Sequence, residues 1–131
     1  MKNVLRSVFV AAIAVLVLTS ASVPSNARRL PRVDVFDGVW SVVIYTLYGD
    51  CDRALRYSVR ISAGRVLPDG QSYQVAGVVN PSGAIRVVVA EGGRSASGYG
   101  RLRDNSGSGR WRTDTGSCAG QWTAVRRAAG Y

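Results

Sequence analysis

The chain has 131 residues and carries 17 Lys and Arg against 8 Asp and Glu, for a formal net charge of +9, with two Cys and no His. Without His there is no Ser-His or Cys-His pair, so ordinary nucleophilic hydrolysis lacks its base and a zinc site lacks its ligands. A positive field of this size favours anionic partners such as glycans, lipid headgroups or nucleic acid, and Arg-rich codon usage is the alternative source of the charge.

At the N-terminus Lys2 and Arg6 precede the apolar run VFVAAIAVLVL, and the small and polar residues TSASVPSNA follow it. That order is the n-region, h-region and cleavage site of a secretory leader. The apolar core falls short of the roughly 20 residues that a membrane-spanning helix needs. Ser25 and Ala27 suit the cleavage site, which makes residues 1–27 a signal peptide and Arg28 the mature N-terminus, with cleavage after Ala21 as the alternative. No Cys near the junction offers a lipid anchor, and no transmembrane span remains after cleavage. Removing 27 of 131 residues leaves 104, enough for one domain with a modest core. The expected division is an N-terminal extension over 28–36, a β-barrel domain over 37–127 and a tail over 128–131. Every cation left in the mature chain is Arg.

Strand signals follow in order. FDGVWSVVIYT turns at Asp37-Gly38 and enters a β-branched strand over 39–48. RALRYSVRIS alternates, with Leu55, Tyr57, Val59 and Ile61 on one face and Arg56, Ser58 and Arg60 on the other, the period of a half-buried strand over 54–62. Turn signals at SAG, PDG, NPSG, EGG, DNSGSG and DTGS divide the remainder into strands over 65–67, 72–79, 84–90, 95–103, 110–113 and 119–126. Short strands at regular spacing imply an all-β meander, an eight-stranded antiparallel barrel or barrel-like sandwich. In an oxidising compartment Cys51 and Cys118 pair as a disulfide. Cys51 follows the first strand and Cys118 precedes the last, so they share one end of an up-and-down barrel only if the strand count is even. Pairing Trp40 with Arg126 sets Ile44 against Trp122 and Tyr48 against Cys118, and lets Arg126 lie across the Trp40 ring.

With Trp40 inside, Trp111, Trp122, Tyr57 and Ile61 also point inward, and residues of this size are expected to fill a narrow eight-stranded interior. Val39, Val43, Tyr45 and Leu47 then face outward, which calls for a homodimer surface or a cover by the extension RRLPRVDVF. DNSGSG reads as a flexible hairpin loop, without the acidic ligands of a calcium site. If Arg103 pairs with Arg110 across it, Leu102 meets Trp111 inside and Arg101 faces Arg112 outside. Arg101, Arg103, Arg110 and Arg112 then form one candidate anion-binding patch suited to bidentate phosphate or carboxylate contacts. The competing reading is an edge protected from strand pairing by charge. Asp50, Asp52 and Glu91 read as solvated turn residues, and no acid, base and nucleophile converge. No metal, cofactor or specific nucleic-acid site is expected.

The opening GVW together with Arg126 resembles the calycin group of small barrels, whose lipocalin members set a late Arg over the Trp of a G-x-W strand. Over most of the mature chain, the series FDGVWSV, GDCDRALRY, GYGRL, GSGRW and CAGQWTAVRR resembles small exported proteins from rhizobia and related alphaproteobacteria. That likeness implies a periplasmic or secreted β protein and carries over no catalytic residues. The leading expectation is a non-catalytic envelope protein that binds an anionic glycan, lipid headgroup or envelope protein through the barrel exterior. The alternatives are a small periplasmic protease inhibitor and a calycin-like carrier of a small apolar ligand.

Overall fold

The computed structural model describes residues 21–22, 32–70 and 72–128. The expected leader and its cleavage junction lie outside them. Among the described residues the chain is all-β, a closed antiparallel barrel of eight strands in sequence order. The strands are β1 (Gly38–Tyr48), β2 (Ala54–Ser62), β3 (Arg65–Pro68), β4 (Gln74–Val79), β5 (Ala84–Glu91), β6 (Arg94–Arg103), β7 (Ser106–Thr113) and β8 (Ala119–Arg126).

The tight turns follow from local chemistry. Ala63 and Gly64 at φ 49° and 75° link β2 to β3, and Gly92 and Gly93 at φ 57° and 76° link β5 to β6. Two consecutive left-handed residues match the right-handed twist of the flanking strands, and glycine adopts that conformation without steric cost. In NPSG the Asn80 side-chain oxygen accepts the backbone N–H groups of Ser82 and Ala84, closing the β4–β5 turn from within.

Closure runs through β1 and β8, with Trp40 opposite Arg126 and Ile44 opposite Trp122, as the sequence predicts. A β-bulge between Thr46 and Tyr48 moves Tyr48 onto Ala119 instead of Cys118. The extra residue bends β1 at the end of the barrel where the Cys51–Cys118 disulfide forms, with Cα atoms 6.1 Å apart.

The β6–β7 hairpin departs from expectation. A two-residue turn at Asp104-Asn105 joins the strands, Asp104 taking the left-handed φ of 54°, and Ser106–Gly109 belong to the strand rather than to a loop. Arg103 therefore pairs with Ser106, Leu102 with Gly107, Arg101 with Ser108 and Tyr99 with Arg110. The physical reason is turn chemistry, because an Asx pair supports a two-residue hairpin. The offset of four residues is even, so Leu102 and Trp111 still point inward and all four arginines still point outward.

The core is concentrated at the barrel end away from the disulfide. Phe36, Trp40, Ile61, Val66 and Leu102 are buried there. Trp40 is only 1% exposed, and complete burial of a large apolar side chain stabilises by about 1.5–3 kcal/mol. Phe36, from the extension, stops this end, and its carbonyl accepts the Trp40 indole N–H at 2.9 Å. The described part of the extension thus serves as a plug. On the outer face of β1, Tyr45 and Leu47 are exposed, while Val39 and Val43 are half-buried.

Candidate functional site

Strand alternation decides which side chains enter the lumen. Val42 and Ile44 of β1, Leu55, Tyr57, Val59 and Ile61 of β2, and Ile85, Val87 and Val89 of β5 all share the inner face and line one cavity of about 690 Å³. The filled interior expected from sequence is not what forms. Trp111 and Trp122 do point inward, as predicted, but their rings are accommodated by inner-face glycines of neighbouring strands. A methyl group at Gly100 or Gly109 would stand 2.6 or 2.7 Å from the Trp122 ring, and one at Gly120 would stand 2.9 Å from the Trp111 indole nitrogen. The rings rest against the wall where side chains are missing, and space remains beside them.

Backbone carbonyls hold the same rings. Trp111 donates to the Tyr45 carbonyl at 2.9 Å and Trp122 to the Tyr99 carbonyl at 3.2 Å. Both indole N–H groups are thereby satisfied, and these two rings present only apolar surface to the lumen. The signal was present in sequence: Gly98 and Gly100, then Gly107 and Gly109, recur at every second residue, in phase with the inward face.

One end of the cavity is floored by Trp40 and Leu102. Arg126 lies over the Trp40 ring, 5.1 Å from its centroid, as expected from the sequence. Its guanidinium also donates to the carbonyls of Val35, Asp37 and Asp104, joining the plug, the start of β1 and the β6–β7 turn. The opposite end reaches exposed residues, namely Asp50 and Asp52 beside the disulfide and Glu91 and Arg94 at the β5–β6 turn. Glu91 and Arg94 face each other in the ladder on its inner side. Glu91 reads from sequence as part of a solvated turn, yet the phase set by Ile85, Val87 and Val89 carries it into the mouth.

Tyr57 and Tyr73 form the polar side of the wall. Their rings meet edge to face with centroids 4.9 Å apart, and the Tyr73 hydroxyl donates to the Ser58 carbonyl. The Tyr57 hydroxyl lies 3.5 Å from a Glu91 carboxylate oxygen. Burial first, and the Glu91 charge second, raise the Tyr57 pKa above the ordinary phenol value, so this hydroxyl is a donor at neutral pH.

The arginines are arranged differently from the expected ladder. Arg101, Arg103, Arg110 and Arg112 are all exposed, but none faces another across β6 and β7. Arg110 sits opposite Tyr99 rather than Arg103, a displacement of roughly 13 Å along the strand. Tyr99 in turn separates Arg110 from Arg86 of β5. Arg101 and Arg103 instead join Arg126 around a second depression of about 460 Å³, beside the plug at the closed end. No group of three or more metal-ligating side chains occurs among the described residues.

No protein-family model and no curated protein matches the chain.

Proposed function

We propose that the protein is a non-catalytic, exported carrier that holds a small, largely apolar ligand inside the barrel. The observation that carries this reading is the cavity of about 690 Å³, lined mainly by apolar side chains, floored at one end and reaching exposed residues at the other. Its volume lies within the range of small-molecule sites, and an eight-stranded barrel is wide enough for one such ligand. The Trp40–Arg126 pair at the floor agrees with a calycin-like organisation. A disulfide at the mouth suits an oxidising compartment, in keeping with the leader read from residues 1–27.

The test is titration with N-phenyl-1-naphthylamine, a neutral apolar dye that brightens when it leaves water. Saturable binding with one dye per barrel is expected. Val89→Trp and Ala96→Trp, which add bulk to opposed inner positions of β5 and β6, should each weaken it by at least tenfold while the β-sheet circular dichroism stays native. No saturable binding, or binding indifferent to both substitutions, would count against the carrier.

The depression at the closed end supports a second reading, docking of a phosphate or carboxylate group on Arg101 and Arg103. Arg101→Gln with Arg103→Gln should then reduce retention on anionic vesicles more than Arg56→Gln with Arg60→Gln, a control that removes equal charge. Equal losses would reduce this surface to unspecific attraction.

A further inference from the structure

Resting on the carrier reading, we propose that the ligand is an amphiphile with a cationic head, bound with its apolar body on the Trp40 floor and its head among the mouth carboxylates. From Trp40 to Thr46 the inner wall of β1 advances six residues, roughly 20 Å along the strand, or about 15 Å of depth once barrel tilt is included. That length accepts an extended chain of about ten carbons. Polar groups within this depth are few, because the wall indoles are spent on backbone carbonyls.

The mouth is chemically different. Asp50, Asp52 and Glu91 line it together with a single cation, Arg94. Three carboxylates against one guanidinium make this rim negative in a chain whose formal charge is +9. Arg53, although adjacent to Asp52, does not line the cavity. Glu91 is turned inward by strand phase, and among the described residues it makes no salt bridge with Arg94. The Tyr57 phenol, which contacts Glu91, adds a hydrogen-bonding group just below the rim. A cationic head placed here meets carboxylates at the boundary with solvent, where it keeps part of its hydration while its tail is desolvated below. An anionic head would meet repulsion at the same depth, despite the attraction of the barrel exterior.

Three ligands with matched chains separate the head from the tail: decyltrimethylammonium, 1-decanol and decanoate. Each is titrated below its aggregation concentration, and displacement of N-phenyl-1-naphthylamine reports occupancy of the lumen rather than adsorption outside it. Decyltrimethylammonium should bind about fivefold more tightly than decanol, and decanoate more weakly than decanol. Asp52→Asn with Glu91→Gln should abolish the preference for the cation, while decanol still displaces the dye. Raised salt should narrow the gap between cation and alcohol, since partly exposed charges are screened. Equal affinities for all three, or tighter binding of decanoate, would overturn the cationic head while the carrier stands. Failure of decanol itself to displace the dye would instead overturn the carrier.

Discussion

Gly100 and Trp122 form a pair in which a missing side chain on one strand makes room for a ring on another. Gly100→Ala would set a methyl group 2.6 Å from that ring and closer still to the Ser108 carbonyl, so both backbone and ring must move. The expected cost is about 1–3 kcal/mol, the range for overpacking, read as a lower midpoint in urea denaturation. Gly98→Ala is the contrast, because its nearest neighbour is a Val87 methyl at 3.1 Å and the Trp122 nitrogen is 3.6 Å away. It should cost under about 1 kcal/mol, within the range for a mild volume change. At this scale the inward positions of Trp40, Trp111 and Trp122 were legible from alternation alone. The cavity was not, because counting large residues ignores the glycines their rings lie against, and that juxtaposition depends on the register of neighbouring strands.

Among the described residues, the β2–β3 turn carries avoidable strain. Ala63 occupies the left-handed region at φ 49°, where a Cβ is disfavoured by roughly 1–2 kcal/mol, and it is exposed. Asn tolerates this conformation and Asn-Gly is the preferred pair for such a hairpin, so Ala63→Asn should raise stability by about 0.5–1 kcal/mol, measured as an increase in the thermal midpoint. The β6–β7 hairpin shows where sequence reading stops. Ser-Gly-Ser-Gly reads as loop by composition, since glycine is depleted in strands and lacks a side chain to show periodicity. In the barrel, Gly107 and Gly109 occupy inner positions opposite Leu102 and Gly100, and the turn contracts to Asp104-Asn105. Inner and outer faces were predicted correctly because the error was even. The neighbours of each arginine were not, and the expected face-to-face ladder depended on those neighbours.

For the molecule as a whole, the strand count and the closing register were readable because two independent constraints agreed: a cysteine pair that demands an even number of strands, and matched apolar positions on the first and last strands. The disulfide spans 67 residues of sequence, and by the chain-entropy relation a loop of this length stabilises by about 4 kcal/mol. Cys51→Ser with Cys118→Ser should lower the unfolding free energy by a few kcal/mol without changing the β-sheet spectrum, a comparison that chemical denaturation followed by Trp fluorescence can make.

The seam between β1 and β8 bears on the order in which the barrel is assembled. Every other strand pairing joins neighbours in sequence, so seven hairpins can form from short-range encounters, while the eighth must bring Trp40 to Arg126 across nearly the whole domain. Until it does, the chain is an open sheet with two unpaired edges, and the outward Tyr45, Leu47 and Val125 lie on those edges. An oxidised Cys51–Cys118 link would shorten that search by holding the two edges together at the mouth. Delayed oxidation would therefore leave the chain most exposed to edge-to-edge association, and the bond that steadies the finished barrel would also guard it during assembly.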